Sequence, residues 1–89
     1  MMTVRDATQK AIKEFSEVFQ NGYQNVRLEE IEISDDERYW YVTLGYDDPS
    51  VHPAAALSRQ LGVPAQRAYK VVKIDDMTGK VISIKIRSV

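Results

Sequence analysis

Eighty-nine residues with a formal net charge of −1 and no cysteine make a single small domain, 1–89, without a disulfide framework or a thiolate nucleophile. A chain of this length buries only about 60–65% of the surface its unfolded form exposes, which leaves little room for a deep pocket beside the core. No stretch approaches the roughly 20 apolar residues of a membrane span, and Met1 to Phe15 has no apolar signal-peptide core. A cytoplasmic protein with no membrane contact is therefore expected.

Near-neutral charge argues against bulk attraction to nucleic acid or anionic lipid, but the charge is unevenly spread. Residues 1–65 hold six basic and eleven acidic side chains, whereas residues 66–89 hold six basic ones against Asp75 and Asp76. Such asymmetry suits a partner surface as well as a solvated one.

Thr3, with Asp6 three residues on, reads as a helix N-cap. Val4, Ala7, Ala11, Phe15 and Val18 recur at helical spacing, widened by Ile12 and Phe19. This predicts a helix over about 4–20, ended by Asn21-Gly22. From Val26 the period becomes two. Val26 and Leu28 share one parity and Ile31 and Ile33 the other, so Glu29-Glu30 inserts one residue, as a β-bulge does. After the polar turn at Ser34 to Glu37, Trp40, Val42, Leu44 and Tyr46 form the inner face of a second strand, with Tyr39, Tyr41 and Thr43 facing outward.

Asp47 to Ser50 closes that strand. Pro53 and the run Ala54 to Leu61 predict a short helix, stopped by Gly62 and Pro64. Ala68 to Ile74 and Lys80 to Arg87 read as a last hairpin closed by Asp75 to Gly79, with Ile82, Ile84 and Ile86 sharing an apolar face with Val72 and Ile74. The expected class is α+β, with a four-stranded antiparallel sheet wrapped on one long N-terminal helix and a short helix between strands 2 and 3.

This order of elements resembles the cystatin-like fold, over Thr3 to Arg87. The inhibitory Gln-x-Val-x-Gly signature of cystatins has no counterpart in the loop Ser34-Asp35-Asp36-Glu37, and the second loop lacks its tryptophan. The resemblance thus implies the fold but not cystatin-type protease inhibition. Asp75-Asp76-Met77-Thr78-Gly79-Lys80-Val81 looks like the Asp-x-x-Thr-Gly-Lys-Val hairpin of PepSY-type domains, which implies a small module of related fold associated with peptidase regulation and cell envelopes.

Catalytic constellations are missing. His52 is the one histidine; it could serve as a general base beside Asp47 and Asp48, yet it has no second histidine or cysteine with which to hold a metal. No enzymatic activity, cofactor or metal centre is expected. Two surfaces remain as candidates. In an up-and-down sheet the first and third connections share one end, so Asp35, Asp36, Glu37, Asp75 and Asp76 should gather there, to dock a basic partner or a cation. The outer sheet face should carry Tyr39, Tyr41, Tyr69 and Val71 with Lys73, Lys85 and Arg87, a composition suited to a protein interface or to base stacking. The expectation is a non-catalytic protein-binding module whose partner is another protein or a second copy. A ligand cavity between helix and sheet, bordered by Trp40, Tyr46 and His52, and weak single-stranded nucleic-acid binding are the alternatives.

Overall fold

A computed structural model of the chain describes residues 1–20, 23–47 and 67–87. One helix, α1 (Val4–Val18), precedes four strands, β1 (Gln24–Ile33), β2 (Tyr39–Asp47), β3 (Arg67–Asp75) and β4 (Val81–Ile86). The strands form one antiparallel sheet in the order β1-β2-β3-β4. The protein is α+β, and the helix lies across the sheet in contact with all four strands. The predicted short helix falls on residues outside those described.

The helix starts where its chemistry dictates. The Thr3 hydroxyl accepts from the Asp6 amide at 3.1 Å and the Asp6 carboxylate accepts from the Thr3 amide at 3.1 Å, so two orphan donors of the first turn are satisfied together. The helix ends at Val18, two residues before the expected boundary. The Phe19 amide donates to the Phe15 carbonyl at 2.9 Å, and Phe19 leaves helical geometry with φ −110° and ψ 52°. The expected glycine cap at Asn21-Gly22 lies outside the described residues.

Ala7, Ala11 and Phe15, four residues apart, are completely or almost completely buried. Two alanines let the helix axis approach the sheet closely, and Phe15 then fills the space their missing side chains leave further along. Opposite them lie Trp40, Val42 and Leu44 of β2 and Val72 and Ile74 of β3, all buried. Strands β2 and β3 are central, flanked on both sides and roofed by α1. That position explains why they carry the strand portion of the core.

The bulge predicted at Glu29-Glu30 is present. Leu28 pairs with Leu44 and Glu30 with Thr43, so Glu29 is the extra residue. A second irregularity between Gln24 and Arg27 contains Asn25 at φ 55°, a conformation asparagine tolerates better than most residues.

The last hairpin differs from expectation. Ile74 pairs with Val81 and Lys73 with Ser83, so Ile82 is the inserted residue and stands half-exposed. The inward face of β4 is therefore Val81, Ile84 and Ile86, with Ile86 79% exposed. Gly79, at φ 72° with open space where a side chain would sit, supplies the left-handed turn residue that lets this loop close.

The inner face also holds a cation. Lys70 pairs with Leu44 and Ile86 in register and is 8% exposed. Its Nζ lies 5.2 Å from the Phe19 ring centroid, 5.6 Å from Tyr46 and 5.9 Å from Tyr23. Three rings, Phe19 just after α1, Tyr23 just before β1 and Tyr46 near the end of β2, thus replace part of the water the ammonium gives up. No helix among the described residues is long and apolar enough to cross a membrane.

Candidate interaction surface

The outer face of the sheet is organised in rows set by strand register. Glu30, Thr43, Val71 and Lys85 form one row across the four strands, and Glu32, Tyr41, Lys73 and Ser83 the next. Along each strand, alternation sends these side chains away from the helix. All seven outer-face residues read from the sequence (Tyr39, Tyr41, Tyr69, Val71, Lys73, Lys85 and Arg87) belong to this side.

Their surroundings differ. Tyr39 is half-buried between two cations, with the Lys73 Nζ 4.2 Å and the Arg38 guanidinium 5.4 Å from its ring centroid. The same Lys73 reaches to 5.8 Å from the Tyr41 ring. Arg87 runs across the face: its Nη1 donates to Thr43 Oγ1 at 3.0 Å and pairs with Glu30 Oε2 at 3.1 Å. This strap from β4 to β1 explains why Thr43, on the outer side, is only 4% exposed. A hollow of about 200 Å³ lies beside it, lined by Glu29, Glu30, Thr43, Tyr69 and Arg87. A second, of about 350 Å³, is floored by Tyr41, Thr43 and Val71 and walled by Glu30 and Glu32 on one side and Lys85 and Arg87 on the other.

Sequence reading missed a polar knot at one end of this face. The Arg67 guanidinium lies 3.2 Å from Asp47 and 3.4 Å from Glu29 and donates to the Asn25 carbonyl at 2.9 Å, while its Nε is buried without a partner. Gly45 makes room for the knot, since a Cβ there would meet the Glu29 carboxylate at 2.5 Å. A glycine inside an otherwise apolar strand was the available signal for such a close approach.

The two hairpin tips do share one end of the sheet. Tyr39 pairs with Asp75, and the Asp76 amide donates to the Arg38 carbonyl at 2.9 Å. Their five acids are not one cluster, however. Asp76 is 7% exposed, and its Oδ1 accepts from the Trp40 indole at 2.8 Å and from the Met2 amide at 3.1 Å. It ties the N-terminus to the core and is not presented to a partner. Asp36 accepts from the Ser34 hydroxyl at 2.6 Å and from the Arg38 amide at 3.1 Å. Asp75 accepts from the Met77 and Thr78 amides, both at 2.9 Å. Asp35 and Glu37 remain exposed. No cluster of three or more potential metal ligands occurs among the described residues.

These bonds give the tips a defined pH response. The Ser34 hydroxyl, then the Arg38 amide, hold the Asp36 carboxyl below the usual value of 3.8. The Thr78 amide, then that of Met77, do the same for Asp75, and the Thr3 backbone, then its hydroxyl, for Asp6. A carboxyl whose pKa is lowered by folding stabilises the folded state above its unfolded pKa, and that contribution disappears as pH falls through the lowered value. Both turns and the helix cap should therefore loosen below pH 3.8. Carboxyl-carbon NMR titration should show the three aspartates with midpoints below that value in the native protein, and unshifted midpoints in urea.

On the helix side a hollow of about 460 Å³ is lined by Phe15, Ser16, Phe19, Gln20, Tyr23 and Val26. Trp40 and Tyr46, expected to border such a cavity, are packed in the core instead, and His52 lies outside the described residues. No protein-family model matches the sequence, and no curated protein and no solved structure matches it either.

Proposed function

We propose that the chain is a small, non-catalytic, cytoplasmic protein-binding module, of the inhibitor, immunity or regulatory type, that meets its partner through the outer sheet face. The supporting observation is the pair of adjoining hollows on that face, with tyrosine and valine at their floor and opposite charges on facing walls. Aromatic anchors inside a charged rim are the composition of protein interfaces. Asp35 and Glu37, exposed at the nearby tip, extend the rim. The resemblance to cystatin-like and PepSY-type modules is in keeping with this reading.

Nucleic acid has less support as the partner. Glu30 and Glu32 border the same hollow as Lys85, which sets the surface against a phosphate backbone, and Lys73 already occupies the Tyr39 ring. A second reading, an apolar ligand in the hollow beside Phe19 and Tyr23, draws on its aromatic lining.

The test replaces Tyr39 and Tyr41 together with Asp35 and Asp36 by alanine. Binding to any partner recovered from the native lysate, a second copy included, should weaken about tenfold or more while circular dichroism stays native. Unchanged binding in a folded variant would end the outer-face reading. Loss of binding on altering Phe19 and Ser16 alone would favour the helix-side hollow.

A further inference from the structure

Charge across the outer face has a direction, and the direction identifies a partner. The row Glu30, Thr43, Val71, Lys85 runs from acid at the β1 edge to base at the β4 edge with an uncharged middle. Now let a second copy be turned over about a two-fold axis that is parallel to the strands and midway between β2 and β3. Every row then lies on its own reverse. Glu30 faces the second copy's Lys85, Thr43 faces Val71, Tyr41 faces Lys73, and Tyr69 comes over Gly45 beside the smaller hollow. A two-fold axis running across the strands would instead lay β1 on β1, with glutamates over glutamates. Both are isologous, as any two-fold interface is, but of the two only the first sets opposite charges against each other, and like-charge contact disfavours the second.

We infer that the outer face binds a second copy of this chain, the two sheets packed face to face with the acidic β1 border of each against the basic β4 border of the other. This rests on the outer-face reading above and names its partner. Internal pairing leaves one charge of each border available: Glu32, which its row sets opposite the second copy's Ser83 and one row from its Lys85, and Lys85 itself. Arg87 is engaged with Glu30, whereas Glu32 and Lys85, which line the same hollow, form no ion pair among the described residues. Four strands about 4.8 Å apart offer a face that buries on the order of 1,000 Å² in total when doubled, the lower end of specific interfaces. An interface of this size belongs with weak, transient contacts.

The test is a charge swap. Glu32→Lys makes both borders basic and Lys85→Glu makes both acidic; both positions are exposed, so folding and melting should be unchanged. In sedimentation velocity the wild type should dimerise through the micromolar range, and each variant should do so about tenfold more weakly or worse. An equimolar mixture of the two should regain wild-type association as a 1:1 heterodimer in native mass spectrometry, because each basic border then meets an acidic one. A wild type that stays monomeric at high micromolar concentration, or a mixture that stays monomeric, overturns the inference. If the wild type is monomeric yet the same substitutions abolish capture of a different protein, self-pairing fails and the outer-face reading stands. If they alter no interaction at all, both fail.

Discussion

Replacing Phe15 by alanine should destabilise the protein by about 3–5 kcal/mol, the cost of deleting a buried ring and leaving a cavity. At about 0.05–0.15 kcal/mol per residue a domain of this size holds roughly 4–13 kcal/mol in all, so the substitution removes a large share of it. The site has little means of collapse. Phe15 is 1% exposed and packs on Phe19 at 4.9 Å, Tyr46 at 5.3 Å and Tyr23 at 5.6 Å between centroids. Those rings also face Lys70, so losing the central one loosens the cage around a buried charge. Phe15→Leu should recover most of the loss in a urea titration. An alanine variant within about 1 kcal/mol of wild type, the range of ordinary substitutions, would mean that α1 does not dock as described.

Asp76→Ala should cost about 3 kcal/mol, because one buried carboxylate oxygen accepts from both the Trp40 indole and the Met2 amide, and hydrogen bonds to charged groups contribute roughly 1.5–3 kcal/mol each. Truncation leaves both donors unpaired in a site from which water is largely excluded. The melting temperature should fall by on the order of 15 °C. Trp40 is the one tryptophan, so its fluorescence reports the same event, with emission moving to the red as the indole gains water. Asp76→Asn keeps the acceptor oxygen and should lose less than half as much. Asp75→Ala, one residue away, should leave the emission unchanged, since its carboxylate bonds within its own turn, to Met77 and Thr78.

That contrast shows where sequence reading succeeds and where it stops. Helical spacing from Val4 to Phe15 and alternation from Trp40 to Tyr46 are short-range signals, and the helix and β2 follow them. The bulge at Glu29-Glu30 was legible for the same reason, because a change of parity must be absorbed locally. The insertion of Ile82 was hidden: three isoleucines at even positions read as one face, and only pairing with β3 reveals that Val81 opposes Ile74. Asp75 and Asp76 look alike in sequence, yet one turns outward into its own loop and the other inward to Trp40, residues apart in the chain by the length of two strands and more. Lys70 follows the inward parity of Val72 and Ile74, but the rings that receive it come from separate elements. Tertiary partners of polar groups are what alternation does not encode.

The outer tyrosines were legible as a face. Their condition was not, because the Arg87 strap joins the first and last strands of the sheet, a relation visible only once all four strands are assembled.

Hydroxyl-radical footprinting by mass spectrometry tests the central claim most directly, since the five tyrosines divide between the two sides of the sheet. Tyr39, Tyr41 and Tyr69 belong to the outer face, while Tyr23 and Tyr46 pack against Phe15. The account predicts that labelling of the outer three falls severalfold between dilute purified protein and concentrated protein or native lysate, with Met1 and Met77, both exposed, labelled equally throughout. Outer tyrosines that react alike under every condition, with protection appearing instead on the exposed residues of α1, would contradict it.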